Sequence, residues 1–495
     1  MRSTELSVSN AQHELWLIHH LNADRSLFRI GEYVLIHGAV DPVLFESAMR
    51  RTVAEFEPLH ARFTEHDGVV RQVIEPREDW EFLTADLSAE ADPVAAAEAW
   101  MWAELSRPVD LATDRLFAYG LVKLGPELFA WYQAVHHIVM DAASGALVAR
   151  RVAEIYSALV AGEEPAESSV GALRQLVERE AQYVDSETAV RDREYWAKQL
   201  TGLSEATRLG VPQRVPAPER FLRRSVLIPE ERAVELRAAA RAERTRLSGL
   251  LIATMAAYVH RLTGEERVVL GFPVSARTDA ELRGLPGMVS NMLPLVVDVR
   301  PGTRVSDLVR QVTLDVRMAL RHQRYRGADL VRELGVADTL RSLVGPKINI
   351  MAFDYDLRFA GHRASTHNLV ADVVDDLSVS AYERSDGTGV RIDFDVNPRY
   401  HSHADLEAHE RRFLRVLEGI ASGQDLVVGE LDLLDAAERT RILVDWNDTS
   451  RTLPAVTLPA LFEAQVLRVP SAVAVVAGGS SLTYASLNER ANRVA

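Results

Sequence analysis

Val135-His136-His137-Ile138-Val139-Met140-Asp141-Ala142-Ala143-Ser144-Gly145 is the stretch on which the reading turns. It joins an apolar strand candidate, Phe129–Val135, to a helix candidate, Ser144–Val160, whose Leu147, Val148, Val152, Ile155 and Tyr156 mark one face. A strand-to-helix junction is held by rigid elements on both sides and suits reactive groups. Neighbouring residues at a strand end point in divergent directions, so His136 and His137 do not share one cavity or one metal. One is expected to be catalytic and the other structural. Asp141, close to the helix start, can accept backbone N–H groups and pair with a cation, which makes it a shaper of the loop. Taken alone, a His-His pair is more often a satisfied polar pair than an active site.

Working outward, helical periodicity alternates with short apolar runs, which predicts an α/β (α+β) fold. Further helices are predicted over Leu44–Phe56, Pro229–Ala242, Arg246–Leu262, Val305–Gln323 and Ala404–Leu417. Further strands are predicted over Tyr33–Ile36, Phe117–Val122, Arg267–Leu270, Leu293–Val299 and Lys347–Asp354. Gly/Pro/Ser/Glu-rich stretches at Gly162–Ser169 and Gly202–Pro218 flank a helical segment and place a boundary between two large halves. The resulting division is 1–175, 176–436, a linker at 437–457 and a last segment at 458–495. That last segment reads as helix, strand, Gly478-Gly479 turn, strand and helix. Roughly 40 residues do not close a core, so it is expected to be the opening of a further domain.

Composition narrows the chemistry. The 495 residues carry a net charge of −15, which disfavours nucleic acid as a partner. The longest strongly apolar run, Leu250–Val259, is far short of the ~20 residues a bilayer needs, and no signal-peptide pattern opens the chain. No membrane partner is expected, and the cytoplasm is the expected compartment. With no cysteine there is neither a thiolate metal site nor an acyl-cysteine intermediate. No metal is expected. G-x-S-x-G and GxxxxGK motifs are also absent, which sets aside a serine hydrolase and a nucleotide-binding loop.

His136-His137-Ile-Val-Met-Asp141 resembles the HHxxxDG signature of condensation domains from nonribosomal peptide synthetases. Other stretches resemble the family's remaining motifs in the same order. Ser9-Asn10-Ala11-Gln12-His13-Glu14-Leu15-Trp16 is similar to its S-x-A-Q-x-x-L-W opening, and Tyr183 with Tyr195-Trp196 to its fourth motif. Gly287-Met288-Val289-Ser290-Asn291 resembles the fifth, and His322-Gln323-Arg324-Tyr325 the sixth. The region from His322 to Asp329, with Asn349–Asp356, looks most like enterobactin-type synthetases. Leu458–Gln465, Ala472–Val475 and Leu482–Asn492 resemble the start of an adenylation domain, and that order favours condensation over epimerization. The Asp-based signature of the cyclization relatives is absent.

The resemblance implies two chloramphenicol-acetyltransferase-like lobes in a V with a central tunnel. Donor and acceptor carrier proteins would present thioesters on phosphopantetheine arms, the domain itself binding no cofactor, and a downstream adenylation domain would follow. The donor acyl group would pass directly to the acceptor amine. On this reading His137 is the catalytic imidazole, His136 and Asp141 hold the loop, and Ser144 with nearby N–H groups faces the developing oxyanion. Ala142, Asn291 and His322 become substrate-side or tunnel candidates. For Asn291 a satisfied sheet-edge amide is an equal alternative, and for His322 a helix-end partner is the commoner role. Two positions depart from the family pattern. Ala142 replaces its Gly, and Glu55–Phe63 has His60 where the family places the Arg that pairs with the signature Asp. Either His60 or Arg62 would then supply that charge. The basic cluster Arg220, Arg223 and Arg224 reads as a solvated charge run, with carrier docking as the alternative.

Thioester aminolysis is downhill, so placing two tethered reactants outweighs general base catalysis: an effective molarity of ~10⁵ M or more, against ~10²–10⁴-fold. A free-standing acyltransferase using a small-molecule thioester such as coenzyme A, and a non-catalytic recruitment module, are the alternatives.

Overall fold

The computed structural model describes residues 4–22, 24–76, 79–203, 207–214, 220–334, 343–351, 357–370, 373–383, 388–452 and 455–495. The chain divides into two compact units, Met1–Leu433 and Leu434–Ala495.

Each predicted helix is present in the first unit, with ends set by local chemistry. Pro42–Glu55 starts at its proline, with Asp41 accepting from Val43 and Leu44 N–H. Leu247–Thr263 is buried on every side over its middle, as its unbroken apolar composition requires, and stops at Gly264, whose φ of 79° suits glycine. Asn10–Leu21 opens with a capping box between Ser9 and Gln12.

Two six-stranded sheets carry these helices. In spatial order the first runs Arg358–Phe359, His362–Val370, Arg29–His37, Leu128–His136, Phe117–Gly125 and Phe82–Asp86. The second runs Asn291–Asp298, Arg267–Val274, Lys347–Met351, Leu377–Glu383, Val390–Val396 and Leu222–Ile228. A small three-stranded sheet joins Thr4–Ser7, Val69–Ile74 and Ala61–His66. Each large sheet has its own core: Val34, Trp131, Val148 and Val152 lie in the first, and Leu250, Leu270, Ile348 and Phe413 in the second.

The two halves do not divide at a single point in the sequence. His362–Val370 pairs antiparallel with Arg29–His37, and Arg358–Phe359 pairs on its far side, so a segment deep in the second half completes one side of the first half's sheet. This corrects the linear split at 175/176, because hydrogen-bond pairing and not chain order decides which lobe a strand completes. The predicted strand Lys347–Asp354 is present over Lys347–Met351; its remainder, like most of Asn349–Asp356, lies outside the described residues.

In the second unit, Leu458–Arg468, Val473–Ala477, Ser480–Thr483 and Tyr484–Val494 form the predicted helix, hairpin and helix. An additional helix, Ala436–Leu443, precedes them. None of these three helices has a buried residue. Among the described residues no helix is long and apolar enough to cross a membrane.

Candidate active site

The strand Leu128–His136 is an interior member of the first sheet, and it delivers the signature at its end. His136 is fully buried. Its Nδ1 accepts from Ile138 N–H at 3.2 Å, so a neutral ring carries its proton on Nε2, which lies 3.3 Å from His19 Nδ1. Burial, with His19, His137 and Arg29 nearby, holds its pKa well below the usual imidazole range. The ring is packed, and its neutral form is favoured.

His137 is different. Its ring is half-buried, and Nδ1 lies 2.9 Å from Met140 O. A carbonyl only accepts, so Nδ1 carries the proton and Nε2 keeps its lone pair. That tautomer is what accepting a proton from an amine requires. The two rings therefore point into different surroundings, as the strand geometry predicts.

Asp141 caps the helix Ala142–Ala161 and is almost fully buried. Oδ1 accepts from Ser144 N and Oγ, each at 3.0 Å. Oδ2 accepts from Arg277 Nη1 at 2.5 Å and from the backbone N–H groups of Val289 and Ser290. Burial alone would raise its pKa, but Arg277 and the Ser144 and Val289 amides outweigh it and hold the carboxyl below its ordinary range.

The charge facing Asp141 thus comes from the other half of the chain, which corrects the expectation for His60 and Arg62. His60 Nε2 lies 2.9 Å from Val53 O, and Arg62 pairs with Glu75. His60 thus bonds back to the helix Pro42–Glu55, and Arg62 to a residue just past the neighbouring strand Val69–Ile74. Arg277 follows Ala276, a non-glycine residue at φ 54°, whose N–H donates to Gln323 Oε1 at 3.1 Å. Nothing in Val274–Asp279 resembled a motif, so sequence reasoning passed over it; a lone arginine after a strand carries no local signal.

Ser144 is also corrected. Its side chain is fully buried, with Oγ 2.8 Å from Gly287 O and accepting from Gly287 N–H at 2.9 Å and Arg277 Nη2 at 3.0 Å. Its hydrogen bonds are committed to holding the lobes, leaving none for an oxyanion. Gly287 itself sits at φ 146°, and a Cβ there would meet Leu176 Cδ2 at 2.5 Å. Ala142 begins the helix and is not among the residues with positive φ, so the family's glycine is not conformationally required at this position.

The other tunnel candidates turn out to be braces. Asn291 Nδ2 donates to Gln323 O at 2.9 Å and Tyr325 O at 2.7 Å, from the first residue of an edge strand. His322 Nδ1 lies 2.7 Å from Asp192 Oδ1, and its ring stacks on Tyr195. Tyr183 donates to Asp192 Oδ2 and Trp196 Nε1 to His322 O, so the fourth, fifth and sixth motif stretches meet in one hydrogen-bonded assembly. Beside it lies a cavity of about 400 Å³ lined by Glu180, Tyr183, Val289, Arg324 and Arg326 among others; His137 is not one of its walls. Arg223 and Arg224 are paired with Asp395 and Glu410, so this cluster is not a free basic patch.

A profile of the Condensation domain family matches residues 2–443. The chain is 37% identical over its whole length to a dimodular nonribosomal peptide synthase of Bacillus subtilis, spanning 21% of that protein. It is 28% identical to enterobactin synthase component F of Escherichia coli O157:H7 over 99% of this chain and 38% of that protein. Among solved structures, a mutant starter condensation domain of rhizomide synthetase with C8-CoA bound superposes with a TM-score of 0.80 at 39% identity. That match covers 87% of this chain and 98% of the other. The first condensation domain of the calcium-dependent antibiotic synthetase gives 0.80 at 32% identity, over 87% of this chain and 100% of that one.

Paired α/β lobes of the acetyltransferase type, with the His137 ring held by Met140 O at a strand-to-helix loop of the first, define an acyl-transfer protein. More narrowly, the chain belongs to the condensation-domain family of nonribosomal peptide synthetases, which form amide bonds. It spans about a fifth to two fifths of the curated relatives named here.

Proposed function

We propose that this domain transfers a donor acyl or peptidyl group from one carrier-bound phosphopantetheine thioester to the amine of an aminoacyl thioester on a second carrier. His137 carries the reading: its Nδ1 is committed to Met140 O and its Nε2 is free to accept or orient the amine proton. The attacking nitrogen forms the C–N bond as the thioester C–S bond breaks, with the proton passing by way of Nε2 and the thiolate leaving on the donor arm. His136, Asp141, Ser144 and Arg277 position the loop, and a channel between the lobes would admit both arms. Leu434–Ala495, whose helices bury nothing, is read as the opening of an adenylation domain, and the alignment with enterobactin synthase component F supports a synthetase of that general organisation. The cytoplasm is the compartment proposed for it.

A second reading has one observation in its favour. A relative of known structure holds C8-CoA, so the donor could be delivered as a coenzyme A thioester. Mass spectrometry of product after mixing the chain with loaded donor and acceptor carriers separates the two. Amide formed only with both carriers supports the first; equal product from an acyl-coenzyme A donor supports the second.

A further inference from the structure

The buried face of the first sheet that packs against the helix Ala142–Ala161 contains a row of polar side chains in an otherwise apolar layer. By register, Asn368 faces Glu32, Glu32 faces Gln133, and Gln133 faces Tyr119, one residue on each of four adjacent strands. Around them lie Val34, Trp131, Leu121, Val135 and Phe117 of the same core.

Burying polar groups in such a layer is costly unless each finds a partner. Here Gln133 Nε2 donates to Glu32 Oε1 at 3.1 Å, but Tyr119 Oη, Trp131 Nε1 and Asn368 Oδ1 are buried without a hydrogen-bond partner among the described residues. Tyr119 and Trp131 are both fully buried. Glu32 remains partly accessible although burial pushes its carboxyl up to about 7. A partly accessible acid, two unpartnered donors and an unpartnered acceptor thus share one face of the sheet.

The topology puts that place under the catalytic loop. The strand ending at His136 and the helix starting at Ala142 are joined by His137–Asp141, and the helix packs back over the same sheet face through Val148 and Val152. Gly145, on the first turn of that helix, would meet no neighbouring atom within 4 Å if it carried a side chain. Gln133 lies four residues before His137, roughly 13 Å along an extended strand, the reach of three to four extended residues.

We propose that Glu32, Gln133, Tyr119 and Asn368 form the polar floor of a donor-chain pocket beneath His137, selecting acyl groups that carry a distal hydroxyl or amide over plain hydrocarbon chains. The inference rests on the reading of His137 as the point where the donor thioester is held. A mixed set of donors and acceptors suits a group that both gives and takes a hydrogen bond; a hydrocarbon would leave Tyr119 Oη and Asn368 Oδ1 unpartnered.

The test measures binding, independently of turnover, by calorimetry with stable aminopantetheine amides, nitrogen replacing the thioester sulfur, bearing decanoyl, 10-hydroxydecanoyl or triglycyl groups. The unaltered chain is expected to bind one or both polar analogues about threefold to tenfold tighter than the decanoyl one, and the preferred analogue tells a hydroxyacyl from a peptidyl donor. Glu32→Leu should bring the ratio close to one, and Tyr119→Phe, which only removes the stranded hydroxyl, should lower it. Equal affinity in the unaltered chain, or a ratio that survives both substitutions, overturns the pocket. Amide formation from loaded carriers is scored separately, so its failure counts against the proposed reaction while the binding ratio still decides the pocket.

Discussion

Arg277 Nη1 lies 2.5 Å from Asp141 Oδ2, with both side chains about 1% exposed, joining residues 136 positions apart in the chain. The carboxylate has further donors from Ser144, Val289 and Ser290, so the pair is the centre of a satisfied network and not an isolated contact. Its two ends belong to the two halves that must come together around His137.

Removing one partner of a buried, hydrogen-bonded ion pair strands the other. Arg277→Met is therefore expected to lose about 3–5 kcal/mol of stability in urea unfolding, with Asp141→Asn losing less because an amide keeps some hydrogen bonds. A loss below about 1 kcal/mol for Arg277→Met would show that the network does not hold the lobes.

The two histidines should separate cleanly in assay. His137→Ala is expected to fold normally and lose at least ~10²-fold in amide formation from loaded carriers. His136→Ala removes a buried ring packed near His19 and Phe28 and should lower the thermal midpoint. A fully active His137→Ala would remove its proton-accepting role.

Much of this site was legible in advance, and for a physical reason. His136, His137 and Asp141 lie within six residues of one another, and local roles such as a cap or a strand-end divergence follow from spacing. Arg277 was not legible, because its role depends on a contact across the fold and on the positive φ of Ala276. The motif matches at Asn291 and His322 point toward substrate, beside an equal sheet-edge alternative for Asn291 and a commoner helix-end role for His322; their hydrogen bonds run to Gln323, Tyr325 and Asp192. The amphipathic and fully apolar helices were found within a few residues, while strands such as Thr4–Ser7 and His362–Val370 were missed. Short or half-exposed strands lack the apolar run that announces a buried one.

Acid should destabilise the second half through His409. Burial and the nearby His401 depress its pKa to about 4, with Asp376 and Asp405 opposing and Arg412 adding to the shift. The folded ring is neutral where the unfolded one, near 6.5, takes up a proton. Between those values the unfolded chain binds more protons, so stability rises with pH and is lost on acidification. Going from pH 7 to pH 5 is expected to cost on the order of 2 kcal/mol through this group, and His409→Gln should flatten that slope in urea titrations.

Gly287→Ala tests the joint from the backbone side. Its left-handed φ and the contact a Cβ would make with Leu176 predict a loss of roughly 1–3 kcal/mol. Because Gly287 O and N both meet Ser144 Oγ, turnover should fall together with stability. A stable and fully active variant would show that this joint yields freely.

The strand His362–Val370, lent by the second half to the first, bears on how such enzymes can be recombined. Grafting the front portion of one synthetase domain onto the back portion of another would give each hybrid a foreign border on its sheet, with a mismatched register along Arg29–His37. Chimeras that carry this ribbon along with the half it borders keep the original pairing, so the natural unit of exchange is interleaved in sequence and cannot be cut out at one seam.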